Sequence, residues 1–258
     1  MSDRSLKAIS SKATRGILTA LADDVTNASL PSVDLTSVGG VDAARRVAEG
    51  EPFDLVILDQ DKLEALADQG AVVPETVRPL VLSEVVVGIP GQSTPRLGNP
   101  ATGSPSSMAT GARRETVAAY ANEAELRDAV LAARRIGYST GPSGAAVLVV
   151  LDHLGIREQV EGHLVQARPG VPVAELLAAG EVDLGFQQLS EMAGHDGVTV
   201  LGPLPVGCAI TSTFAVAVGG HSADPEGART VIDRWTSAAV NTLKTDQFFL
   251  IPGDDHVH

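Results

Sequence analysis

Aromatic residues are scarce: five Phe, two Tyr and one Trp in 258 residues. Stacking platforms for single-stranded nucleic acid need several rings on one face, and so few disfavour that use. Basic residues are outnumbered 19 to 32 by acidic ones, giving a formal net charge of -13. Such a chain repels phosphate backbones and anionic bilayers. Nucleic acid is therefore not an expected partner, whereas a small anion answers to a local patch and not to the total. The single cysteine, Cys208, excludes an intramolecular disulfide and a metal site built from cysteines alone. In the run Val206-Gly207-Cys208-Ala209-Ile210 it reads as a small buried apolar residue. No apolar run approaches the roughly 20 residues of a membrane span, so no membrane insertion is expected. Met1–Ser5 shows no basic segment followed by an apolar leader core. The expected location is the cytoplasm, or the periplasm (free or lipid-anchored) if a leader has been removed. Neither GxGxxG after a strand nor GxxxxGKS/T occurs, and HExxH and GxSxG are missing too. Nucleotide-binding, zinc-protease and serine-hydrolase fingerprints are thus absent, and no cofactor or metal is expected.

What is present is an ordinary globular composition, 44% apolar and 20% charged, long enough for two lobes with real cores. Strand and helix alternate. Leu6–Ile9 reads as a strand and 13–24 as a helix; Val33–Val38 as a strand, with a helix opening at Gly39-Gly40; Phe53–Leu58 as a buried strand, with Asp59 and Asp61 capping the helix Lys62–Gln69. Three such units in about 70 residues indicate a mainly parallel sheet. Val81–Ile89 is long for a single sheet and reads as a crossing between lobes. The stretch 91–114, rich in Ser, Thr, Gly and Pro, reads as a long flexible loop, either an inert insertion or a lid bringing Arg113 and Arg114 to an anion. A second α/β block follows: a helix capped by Asn122, the strand Ile136–Ser139, the helix Ala145–Leu154, the strand His163–Gln166, the helix Val173–Ala179, and strands at Val182–Gln187 and Val198–Leu201. Pro203 and Pro205 flank a second crossing. Thr213–Val218 is a strand, and one helix is expected over Gly227–Leu243. The tail residues Asp254, Asp255, His256 and His258 read as a frayed terminus.

One design recurs. Ile9-Ser10-Ser11 runs into a helix, and so does Ser37-Val38-Gly39-Gly40. Tyr138-Ser139 through Ser143-Gly144 opens another, and Arg168–Val171 a further one. Each junction sets free backbone N–H groups and small hydroxyls at a strand's carboxyl end, where open α/β sheets bind ligands and helix N-termini attract anions. Serines there also act as plain N-caps.

In order and spacing these pieces resemble the type II periplasmic-binding-protein fold, in its molybdate-binding-protein-like branch. So do Gly50-Glu51-Pro52-Phe53-Asp54-Leu55-Val56-Ile57-Leu58 and Gly180–Gln188. The resemblance covers nearly the whole chain. It implies two α/β lobes, each a mainly parallel sheet flanked by helices, with 1–84 and 205–258 forming lobe 1 and 85–204 forming lobe 2. It further implies a small anionic ligand between the lobes. Carried onto this sequence, the ligand groups are Ser10, Ser11, Lys12, Ser37 and Gly39 from lobe 1, and Ser143, Gly144, Arg168 and Gln187 from lobe 2. Some members of the branch look like aconitate isomerases, which move a proton to shift a double bond. On that pattern the expected ligand is a small organic carboxylate, isomerised without a cofactor, with Lys12, Arg15 and Arg168 as carboxylate clamps. No residue declares itself the base; His163 or a carboxylate is open. The alternative is a non-catalytic receptor or sensor for a molybdate-like oxyanion or organic acid, and only then would an ABC permease be a partner.

Overall fold

The computed structural model describes residues 5–91 and 118–253. The stretch 91–114, apart from Gly91, and the tail from Asp254 lie outside them. Up to the first crossing the elements are β1 (Leu6–Ser11), α1 (Arg15–Asn27), β2 (Val33–Val38), α2 (Gly40–Ala48), β3 (Leu55–Asp59), α3 (Gln60–Asp68) and β4 (Arg78–Pro90). Then come α4 (Glu123–Ala132), β5 (Ile136–Tyr138), α5 (Pro142–His153), α6 (Arg157–Val160), β6 (Leu164–Gln166), α7 (Val173–Ala178), β7 (Leu184–Gln188), α8 (Leu189–Met192) and β8 (Val198–Pro203). The chain ends with β9 (Thr211–Val218), α9 (Pro225–Thr236) and α10 (Asn241–Asp246). It divides into two compact units, one running to Ser83 and resuming at Thr211, the other spanning Glu84–Ile210.

In the first unit β1 lies between β2 and β3, parallel to both, and β9 runs antiparallel along β3. Both faces of this sheet are covered, which is why β3 and the 214–218 part of β9 are apolar in nearly every position. Ala8, Leu55 and Ile57 pack with α1 and α9 through Leu18, Leu21 and Trp235. Their neighbours Ile9, Val56 and Leu58 point the other way, onto Ala43, Val47 and Leu63 of α2 and α3, the period-two alternation of a strand. A buried carboxylate ties the unit together. Asp54, just before β3, accepts hydrogen bonds from the Lys7 N–H (2.9 Å), the Ser222 hydroxyl (2.7 Å) and the N–H groups of Ala223 (2.9 Å) and Asp224 (3.2 Å). Burial pushes its carboxyl up, but these donors together outweigh it and hold the group below its usual range.

The helix expected over Gly227–Leu243 is broken. α9 stops at Thr236, and Ser237 is extended, with ψ 158. The Ser237 hydroxyl donates to the Arg234 carbonyl at 2.7 Å, competing with the helical ladder. The break lets Val240 reach the same cluster as Val231 and Trp235.

In the second unit β5 is parallel to β6 and β7, whereas β4 is antiparallel to both β7 and β8. This sheet is evenly mixed; only the first is mainly parallel. Leu126, Val130, Val147 and Leu151 of α4 and α5 cover one face. Val173, Ala174 and Leu177 of α7 cover the other. Asn122 caps α4 as its residue type predicts, accepting from the Glu125 N–H at 3.0 Å. Asp59 occupies the N-cap of α3 but makes no capping bond; its carboxylate faces Lys62 at 3.9 Å instead.

Candidate functional site

The first unit gathers its candidate groups at the carboxyl ends of β1 and β2. Ser10 and Ser37 are register partners on these strands, and their hydroxyls lie 2.8 Å apart. Ser11 ends β1 with 9% of its surface exposed. It holds the N-cap position of the 3₁₀ turn Lys12–Thr14 but makes no capping bond, and its Oγ has no hydrogen-bond partner. Neither serine therefore serves as the N-cap that its residue type suggests. Ser11 also abuts the start of α2, since a Cβ at Gly40 would sit 3.6 Å from the Ser11 Cβ. Gly39, the N-cap of that helix, has φ -61 and ψ 139, which any residue can adopt. A Cβ there would meet nothing within 4 Å, so the space before α2 is open. Lys12 and Arg15 are exposed beside this point, and neither makes an ion pair among the described residues.

The second unit arranges its groups differently. Ser143 and Gly144 lie in the first turn of α5, both buried. The Ser143 hydroxyl is 3.1 Å from that of Ser139. A Cβ on Gly144 would collide with the Ser139 carbonyl, so glycine here serves the close approach of α5 to the turn after β5. Gln187, 3% exposed on β7, uses both ends of its amide internally. Its oxygen accepts from the Ala174 N–H at 3.1 Å, and its nitrogen donates to the Glu191 carboxylate at 2.9 Å. Burial pushes the Glu191 carboxyl up, against the lowering effect of the Gln187 donor. Arg168 is exposed in the turn before α7 and makes no ion pair among the described residues. His163 closes a 3₁₀ turn and is exposed.

Two features escape the sequence reading. Ser190, in α8 beyond the carboxyl end of β7, has a buried Oγ without a partner, like Ser11; nothing local in the sequence separates it from a helix serine. Glu123, His153 and Cys208 bring one ligand-type atom each to within 4.8 Å of one another. They are 30 and 55 residues apart along the chain, so no spacing motif could reveal them.

Among the described residues no helix is long and apolar enough to cross a membrane. The sequence profile of the bacterial extracellular solute-binding proteins matches residues 6–250. An aconitate isomerase from a Pseudomonas species is 26% identical over 190 residues, 72% of this chain and 63% of that protein. The match thus spans less than two thirds of that relative. Among solved structures, the periplasmic molybdate-binding protein of Azotobacter vinelandii superimposes with a TM-score of 0.71 at 17% identity, covering 96% of this chain and 99% of the other. The sulfate-binding protein of Mycobacterium tuberculosis gives 0.69 at 16% identity, over 97% and 88%. At such identities the structural likeness speaks for the fold, which is the two-lobed type II periplasmic-binding-protein fold. The profile match over nearly the whole length speaks for descent: the chain belongs to the family of bacterial extracellular solute-binding proteins.

Proposed function

We propose that the protein is a receptor for a small anion, an oxyanion or an organic carboxylate, held by donors at the carboxyl ends of β1 and β2 in the first unit. The observation that carries this reading is the Ser11 hydroxyl, buried and unpartnered beside the start of α2. An unmade hydrogen bond at a buried group costs about 1–3 kcal/mol, a cost that a bound acceptor removes. The Ser10–Ser37 pair adds neutral hydroxyls, which suit an anion whose charge is met by dipoles. Lys12 and Arg15, exposed beside it, leave cations free for a carboxylate. Relatives that bind molybdate and sulfate support the receptor reading, with an ABC permease as partner and a site of action outside the cytoplasm, as the family's description suggests. The test is a thermal-shift panel of molybdate, sulfate, cis- and trans-aconitate. At least one should raise the melting temperature, by the equivalent of about 2.7 kcal/mol at one hundred times its Kd. Ser11→Ala should weaken that ligand about tenfold, the worth of one hydrogen bond to a charged group. A panel that leaves the melting temperature unmoved rejects the proposal.

The aconitate isomerase relative favours a second reading, in which the bound acid is also isomerised. That chemistry needs a group that takes a proton from one carbon and returns it to another. Glu191, its carboxyl pushed up by burial, suits the task better than the exposed His163. Turnover of aconitate followed by ultraviolet absorbance, and abolished in Glu191→Gln, would establish it; no turnover leaves the receptor alone.

A further inference from the structure

Glu123, His153 and Cys208 stand on three separate elements of the second unit. Glu123 is the first residue of α4, His153 the last of α5, and Cys208 lies in the turn after β8. Their ligand atoms fall within 4.8 Å of one another. The Glu123 and His153 side chains are 44% and 54% exposed, whereas Cys208 is 1% exposed and belongs to the cluster beneath α4 and α5. A hydrogen bond between His153 Nε2 and Glu123 Oε2 at 3.3 Å accounts for two of the three. It does not account for a thiol beside them. Local backbone makes room for the group: Gly207 has φ +93, and a Cβ there would strike the Glu123 carboxylate.

We propose that Glu123, His153 and Cys208 form a binding site for a divalent transition metal of zinc type, with solvent in the fourth position. The donor set is one imidazole nitrogen, one carboxylate oxygen and one thiolate sulfur, the ligands zinc takes at about 2.0–2.3 Å. A tetrahedron with those bonds sets its ligand atoms roughly 3.3–3.8 Å apart. The triad closes to that by rotamer shifts of its two exposed members, around a fixed, buried sulfur. One thiolate and one carboxylate neutralise the ion's two charges, so the site suits a divalent cation and no anion. Zinc takes cysteine as the thiolate, so the ion binds by displacing the Cys208 proton. Ser143 and His153 are ten residues apart on α5, about 15 Å at 1.5 Å per residue. The cation site therefore sits at the opposite end of that helix from Ser143 and Gly144. Bound there, the ion clamps α4, α5 and the turn after β8 together.

Cobalt(II) titration of the full-length, chelator-treated protein tests this. Thiolate ligation should produce a near-ultraviolet charge-transfer band that zinc displaces. Zinc should also shield Cys208 from a thiol reagent. Cys208→Ser should abolish the band. His153→Gln, at an exposed position that leaves folding intact, should weaken cobalt and zinc binding at least about tenfold. The double change His256→Gln with His258→Gln should leave the band unaltered. Absence of a thiolate band at millimolar cobalt, or equal affinity in wild type and His153→Gln, overturns the proposal.

Discussion

The two units carry the same strand–turn–helix design and use it differently. In the first, the candidate hydroxyls are left over from folding. Ser10 and Ser37 meet only each other, and Ser11 meets nothing. In the second, all the candidates but the exposed Arg168 are built into the scaffold. Ser143 pairs with Ser139, Gly144 admits α5 against a carbonyl, and Gln187 ties α7 to α8 through Ala174 and Glu191. The leftover hydroxyl there belongs to Ser190. Buried polar groups in folded proteins are nearly always satisfied. An orphan at a strand's carboxyl end is thus a stronger pointer to a ligand than a residue type in the right place.

The largest effect that could break this contrast is on Gln187. If its amide is structural, Gln187→Ala strands the Ala174 N–H and the half-buried Glu191 carboxyl at once. Unfolding free energy should fall by about 2–4 kcal/mol, measured by urea denaturation without ligand. A loss below about 0.5 kcal/mol would show that the amide is free for a ligand, and the two units would then be alike.

The fold was legible because the sheets are buried on both faces. Runs such as Phe53–Leu58 and Val81–Ile89 announce themselves by apolarity alone, and Asn122 by its capping chemistry. The break at Ser237 was not legible. The apolar period runs across it, and only a side-chain bond to Arg234 decides the outcome. The same limit applies to the site. Residue types at helix openings identify Ser10, Ser11, Ser37 and Ser143, but not which hydroxyls are already spent. Gln187 is spent by Ala174, thirteen residues earlier, and Ser190 is left over by its packing. Cys208 reads correctly as buried, yet its neighbours Glu123 and His153 arrive from 85 and 55 residues away.

A smaller effect sharpens the contrast through pH. The folded-state value of Glu191 lies above the ordinary 4.5. Between the two values the folded protein binds more protons than the unfolded one, so this group's contribution to stability is fully present below 4.5 and declines as pH rises through the window. Glu191→Gln removes the titration. The variant should gain stability relative to wild type as pH is raised from 4.5, in paired denaturation curves. A difference that stays flat with pH would mean that the carboxyl is solvated, or that the Gln187 donor fully offsets its burial.

The smallest effect is the most diagnostic, because its sign differs from the usual cost of truncating a buried residue. Ser11→Ala and Ser190→Ala each delete a hydroxyl that has no partner. Losing an orphan should leave the ligand-free protein as stable as wild type or up to about 1 kcal/mol more so. A serine that capped its helix would instead cost about 1 kcal/mol on replacement. The two variants should part only when ligand is added. If the orphan marks the binding group, Ser11→Ala loses about half of the ligand-induced thermal shift at one hundred times the wild-type Kd, and Ser190→Ala does the same only if its hydroxyl also faces the anion. A destabilised ligand-free Ser11→Ala would return that serine to the scaffold and leave the first unit no freer than the second.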